Sequence, residues 1–133
     1  MNTHEYKTRI YYADTDAAGI VYYANYLRFA EAARGELFCG LGFGREKFDN
    51  DFEKCKGFAV VECNTKYKAP AKLGEIITVK TDIVKVGGAS MKVQQNVYRD
   101  EILLVKIELT MVCVDKDLKS TRIPVEIKEV FTA

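Results

Sequence analysis

The chain has almost no histidine, no block of like charge and no long apolar run. His4 is the only histidine among 133 residues, so a zinc site would need unusual ligands. Four cysteines, Cys39, Cys55, Cys63 and Cys113, make no C-x-x-C pair and show no metal-ligand spacing. Lys plus Arg total 20 and Asp plus Glu 19, leaving a net charge of +1 spread along the sequence. That balance excludes a basic nucleic-acid surface and an acidic interaction tail. No apolar run approaches the ~18 residues that span a membrane, and no signal-peptide pattern precedes the first strand. The reading is a reduced, cytoplasmic protein with no nucleic-acid partner and no membrane span. Cys63 and Cys113 lie in strand-like runs and read as small buried hydrophobes. His4 reads as exposed and inert.

What is present is an ordinary globular composition, 48% hydrophobic and 29% charged. The length fits one domain spanning residues 1–133. Residues 5–13 read as a first strand, followed by a turn over Asp14–Gly19. From about Asn25 the period changes: Tyr26, Phe29, Ala30, Ala33 and Leu37 share one face of a helix. Asn25 is its candidate N-cap, and Gly40 and Gly42 punctuate its end. Residues 43–56 read as a short helix and a loop. Residues 58–68, 75–86, 90–98 and 102–114 are strands, the last three alternating cleanly. Gly87-Gly88 and Arg99-Asp100-Glu101 are turn signals between them. Pro124–Phe131 reads as a terminal helix. One strand, one long helix and a meander is an α+β order. Its economical form is an antiparallel sheet wrapped around a single helix. Exposed edges on such a sheet favour a symmetric oligomer, a homodimer or homotetramer.

Residues 14–26, Asp-Thr-Asp-Ala-Ala-Gly-Ile-Val-Tyr-Tyr-Ala-Asn-Tyr, carry the chemistry. Two carboxylates and a glycine run straight into the helix. A carboxylate beside a helix N-terminus combines an acid or base with unpaired N–H donors. Such donors, aimed at a carbonyl oxygen, contribute on the order of 3 kcal/mol each at the transition state. The bland alternative is a capped, Asp-rich turn.

This segment resembles the D-x-D-x-x-G-[IV]-V-[WY]-[YHF]-x-N-Y pattern of the 4-hydroxybenzoyl-CoA thioesterase family of hotdog folds. The stretch Phe29-Ala30-Glu31-Ala32-Ala33-Arg34 is similar to the helix of the Tol-Pal-associated acyl-CoA thioesterases. Tyr67-Lys68-Ala69-Pro70-Ala71, Val86-Gly87-Gly88-Ala89-Ser90 and Arg122-Ile123-Pro124 follow in the family's order. Many Tol-Pal-associated members carry histidine where this chain has Tyr23, and hydroxybenzoyl-type members carry tyrosine.

The resemblance implies hydrolysis of an acyl-CoA thioester by a hotdog fold. Asp16 becomes the catalytic carboxylate, and Tyr23 supplies a backbone N–H to the thioester oxygen. Gly19, Ile20, Val21 and Tyr22 become substrate-binding. Asp14 is the turn or orienting residue. Whether Asp16 attacks the carbonyl or deprotonates a water stays open at this level. No cofactor is implied, since coenzyme A belongs to the substrate, and an acyl-carrier protein is an alternative carrier. The same pattern also resembles 1,4-dihydroxy-2-naphthoyl-CoA hydrolases. A non-catalytic acyl-CoA or carrier-protein binding module is the reading from another class. Glu31 and Arg34 read as an ion pair, with Glu31 a weaker candidate for substrate contact. Lys66, Lys68, Lys85 and Lys92 are candidates for CoA phosphates, although strand lysines are usually just solvated.

Overall fold

One helix face with a 3.6-residue period and strands with a two-residue period close on each other in the computed structural model, which describes residues 2–132. The chain runs β1 (His4–Arg9), a 3₁₀ turn (Tyr12–Asp14), α1 (Asn25–Gly40), α2 (Arg45–Asn50), β2 (Gly57–Tyr67), β3 (Ile76–Val86), β4 (Ser90–Arg99), β5 (Ile102–Val114) and α3 (Val125–Thr132). The strands form one five-stranded sheet in the order β1-β3-β4-β5-β2. All neighbours are antiparallel. This is the α+β hotdog arrangement, with the sheet curved around α1.

The helix buries the residues its period selects, namely Tyr26, Phe29, Ala30, Ala33 and Leu37. They meet Ile77, Val79, Val93, Val97 and Ile107 from the inner face of the sheet. Phenylalanines close the far end. Phe38 packs on Phe58 and Phe131 at ring separations of 5.6 and 5.5 Å, which docks α3 there.

Four features differ from the sequence reading. The first strand ends at Arg9, one residue short of a last bond in the same register from the Ile10 N–H to the Glu75 carbonyl at 2.8 Å, because the chain then enters the 3₁₀ turn, where the Asp14 N–H bonds to the Tyr11 carbonyl at 3.0 Å. Cys63 is exposed rather than core, since β2 is an edge strand with no fully buried position. Cys55 and Cys113 are buried and paired as a disulfide with Cα atoms 6.1 Å apart, where an all-reduced chain was expected. The loop before β2 runs alongside the end of β5, which brings together cysteines 58 residues apart in sequence. His4 is half-buried, with Nδ1 enclosed and unpartnered among the described residues.

The expected Glu31–Arg34 ion pair is also replaced. The Arg34 guanidinium donates to Gln95 Oε1 at 2.9 Å. Burial lowers its pKa, opposed by the nearby Glu31 charge. Gln95 is fully buried, and its amide donates to the Ala30 carbonyl at 2.9 Å and to Thr81 Oγ1 at 3.0 Å. This one amide stitches α1 to β3 and β4 through the core, with its own oxygen and nitrogen both bonded inside the protein. Gln95→Met keeps the volume and removes the bonds. It is expected to cost about 2–3 kcal/mol in urea unfolding, because a half-buried guanidinium and the Ala30 carbonyl both lose a partner.

Candidate active site

Asp14 and Asp16 are two residues apart and have opposite environments. Asp14 is buried, at 5% exposure. One carboxylate oxygen accepts the Tyr11 N–H at 2.8 Å, and the other is paired with Arg28. The Asp14 carbonyl accepts the Tyr22 N–H at 3.0 Å and the Asn25 side-chain amide at 2.9 Å. Asp14 therefore fastens the loop to the start of α1, as an orienting residue should.

The Asp16 side chain is exposed. Its Oδ1 accepts the Ala18 N–H at 2.9 Å, which fixes the carboxylate, and its Oδ2 has no partner among the described residues. The backbone closes around it: Gly19 N–H reaches the Asp16 carbonyl at 3.1 Å, and Asp16 N–H reaches the Ile20 carbonyl at 2.9 Å. Gly19 sits at φ +82°, a left-handed conformation that a side chain strains, so the tight turn itself requires glycine.

The helix start leaves donors free. Ala24, not Asn25, is the N-cap residue, and it has no side-chain cap. Asn25 is the first helical residue and spends its amide on Asp14, which is why the expected cap is absent. The Asn25 N–H returns to the Tyr22 carbonyl at 2.8 Å. The N–H groups of Tyr23 and Ala24 have no acceptor among the described residues. A fixed carboxylate and two unpaired donors thus share one short segment. Such an arrangement can polarise a carbonyl and deliver a nucleophile to it.

A second loop supports this segment from below. Val21 N–H donates to the Ala71 carbonyl at 2.9 Å, and Leu73 N–H donates to the Gly19 carbonyl at 3.1 Å. Ala71 N–H donates to the Tyr26 hydroxyl at 2.9 Å. Arg99 ties the loop down through the Pro70 carbonyl at 3.1 Å and the Glu75 carboxylate at 3.2 Å. The expected binding residues therefore separate. Val21 is core, with its N–H engaged. Gly19 and Ile20 are half-buried at the loop rim, and the Tyr22 side chain is exposed. Tyr11, Tyr12, Tyr23 and Tyr67 are exposed as well.

Sequence reasoning gave no role to Asn25 as a brace, to Arg28, or to Tyr67. Asn25 and Arg28 are three apart on α1, a spacing that puts both beside Asp14. Tyr67 was visible only as part of a motif without a function. The lysine candidates are dispersed: Lys66, Lys85 and Lys92 sit by register on the sheet face opposite α1. Gly87-Gly88 serves the β3–β4 turn and accepts the Ile123 N–H at 2.8 Å. Among the described residues no group of three His, Cys, Asp or Glu could hold a metal ion.

Burial raises the Tyr26 pKa above its ordinary 10.0, so the phenol stays neutral while it accepts from Ala71. The stability this contributes is complete below about pH 10 and is lost as pH rises through the raised folded value. Tyr26→Phe leaves Ala71 N–H unsatisfied. It is expected to cost about 1–3 kcal/mol in urea unfolding at pH 7 and to remove the Tyr26 component of alkaline destabilisation.

Comparison with known proteins bears on the whole chain. The thioesterase superfamily matches residues 18–106. The chain is 34% identical over 131 residues to the acyl-CoA thioesterase YbgC of Haemophilus influenzae, covering 98% of this chain and 95% of that protein. A probable thioesterase of known structure from Bartonella henselae superposes with a TM-score of 0.87 at 31% identity, covering 92% of this chain and 100% of the other. The 4-hydroxybenzoyl-CoA thioesterase of Pseudomonas sp. strain CBS-3 superposes with a TM-score of 0.87, covering 98% and 99% of the two chains; at 23% identity that likeness speaks for the fold alone. With the family matched over residues 18–106 and a curated relative 34% identical over 98% of the chain, this hotdog protein belongs to the thioesterase superfamily and is a hydrolase of thioesters.

Proposed function

We propose that the protein hydrolyses acyl-CoA thioesters to the free acid and CoA, with Asp16 as the reacting carboxylate and the Tyr23 N–H as oxyanion donor. The acyl-CoA thioesterase YbgC of Haemophilus influenzae, 34% identical, supports the substrate class. The observation that carries the residue assignment is the pairing of a fixed, exposed carboxylate with unpaired N–H groups at the helix start.

A thioester is already activated, so this modest equipment suffices. In one route an Asp16 oxygen bonds to the carbonyl carbon, the C–S bond breaks, CoA leaves as the thiolate and takes a proton, and water opens the mixed anhydride. In the other, Asp16 takes a proton from water as the water oxygen bonds to the carbonyl carbon; the C–S bond then breaks, and CoA leaves as the thiolate and takes that proton. Both build negative charge on the carbonyl oxygen, where the helix N-terminus stabilises it. Neither route calls on a metal or organic cofactor. The exposed tyrosines around the loop favour aromatic acyl groups as a class to test beside aliphatic ones. Carrier-protein thioesters are the other carrier to compare.

The working unit in this reading is a cytoplasmic homodimer, or a homotetramer built from it. The edge strand β2 offers 11 residues, with Val60 and Val61 exposed at 45% and 61%. An open groove of about 770 Å³ separates it from α1, lined by Arg34, Phe38, Phe43, Phe58 and Met111 among others. An edge strand with two exposed valines beside an open groove lined by four phenylalanines fits a second copy of the chain.

Asp16→Asn is expected to lower kcat on the best thioester of a short, medium, long and aromatic panel by at least ~100-fold, with the fold intact by circular dichroism. Equal rates for the variant would remove Asp16 from the chemistry, and binding without turnover in the wild type would favour a binding module. Val61→Asp is expected to shift the sedimentation profile from dimer to monomer, because it buries a charge in the edge pairing. An unchanged profile would exclude β2 as the interface.

A further inference from the structure

The Tyr67 phenol has a partner that the known chemistry does not explain. Its hydroxyl donates to the Tyr23 carbonyl at 3.2 Å. In a regular helix that carbonyl would accept from Leu27, but the Leu27 N–H goes to the Ala24 carbonyl at 3.2 Å instead. Tyr67 is therefore the partner that the described residues provide for the Tyr23 carbonyl. The peptide that carries this carbonyl also carries the Ala24 N–H. A trans peptide is rigid and planar, so its C=O and N–H point in opposite directions. Holding the oxygen fixes the direction of the N–H.

The peptide before it is held in the same manner. The Tyr22 carbonyl accepts the Asn25 N–H at 2.8 Å, and the other end of that peptide is the free Tyr23 N–H. Two successive peptides are thus fastened by their carbonyls, and both N–H groups are unpaired among the described residues. Ala24 already has helical dihedrals, φ −69° and ψ −21°, so its N–H projects out of the helix start. The Tyr67 ring is itself braced, with centroids 6.0 Å from Tyr23 and 5.9 Å from Tyr26.

We propose that Tyr67 is a positioning residue for thioester hydrolysis: its hydroxyl holds the Tyr23–Ala24 peptide so that the Ala24 N–H acts beside the Tyr23 N–H as a second donor to the oxyanion. This rests on the thioesterase reading above. Tyr67 touches no reacting atom; it acts through the backbone. Burial raises its pKa, so the phenol keeps its proton and stays a donor at neutral pH.

The test is Tyr67→Phe, which removes the hydroxyl and keeps the ring. Wild type, Tyr67→Phe and Asp16→Asn are compared on the best acyl-CoA for kcat, KM and thermal unfolding. Affinity for a non-hydrolysable thioether analogue of that acyl-CoA is measured alongside. The expected result for Tyr67→Phe is a kcat lower by about 10-fold, less than the loss of a whole oxyanion donor. KM, analogue affinity and melting temperature stay at wild-type values. A wild-type kcat in Tyr67→Phe, with Asp16→Asn inactive, would overturn the positioning role and leave the thioesterase reading standing. A fall in kcat accompanied by weaker analogue binding or a lower melting temperature would mark Tyr67 as a packing residue and overturn it too. Absence of wild-type turnover would remove both readings together.

Discussion

The constraint behind this structure is that one helix must cover one curved five-stranded sheet. A sheet that alternates apolar and polar residues has one face to bury, and α1 supplies a single apolar stripe to bury it. The stripe sits over the β1 and β3 side of the sheet. On the other side the groove beside β2 stays open, and β2 has no fully buried residue. Incomplete coverage at one edge is thus a consequence of geometry rather than an accident of surface composition. The same placement carries the helix N-terminus to the sheet margin, where the Tyr23 and Ala24 N–H groups meet no acceptor among the described residues.

Polar bonds then lock the position of that helix at two points. In mid-helix, Gln95 gathers the Ala30 carbonyl, Arg34 and Thr81 into one buried network. At the helix start, the Asp14 carbonyl takes both the Tyr22 N–H and the Asn25 amide. A helix that slid along the sheet would break both sets and strand buried polar groups. The loop holding Asp16 inherits this precision, because its neighbours on either side are bonded to fixed backbone. Two carboxylates in one turn consequently do different work: the buried one is consumed by structure, and the exposed one is held with an oxygen to spare.

Much of this was legible in the residues. The helix face from Tyr26 to Leu37 and the alternation of β3, β4 and β5 follow directly from period, because burial is what creates the period. The misreadings share a cause, which is competition between partners far apart in sequence. Alternation through Tyr12 suggested a strand to residue 13, but the Asp14 carboxylate takes the Tyr11 N–H and the chain coils into a 3₁₀ turn over Tyr12–Asp14. Asn25 is a good N-cap by type, yet a carbonyl eleven residues earlier takes its amide. Glu31 was the acid one helical turn before Arg34, while Gln95, on strand β4, was the acceptor in space. Cys63 alternates like a core residue, but alternation cannot say whether a strand lies at the centre or the edge of its sheet. The Asp16 loop was recognised from its family pattern, and its supports were not, because Ala71 and Tyr67 act through backbone bonds that no local pattern encodes.

Tyr67 also links two properties usually treated apart. It is the last residue of β2, an edge strand of the sheet, and its hydroxyl reaches the peptide at the helix start. Strand pairing orders an edge that is otherwise free to fray, since its outward N–H and C=O groups have only water as partners. An ordered β2 holds the Tyr67 ring against Tyr23 and Tyr26, and the ring holds the peptide. In the proposed dimer, association at this edge would act on the proposed oxyanion donors through one aromatic side chain. No displacement of α1 is needed for this, because the helix is already locked by Gln95 and Asp14. Only the orientation of a single peptide remains to be set from outside the helix, and the edge strand is the element placed to set it.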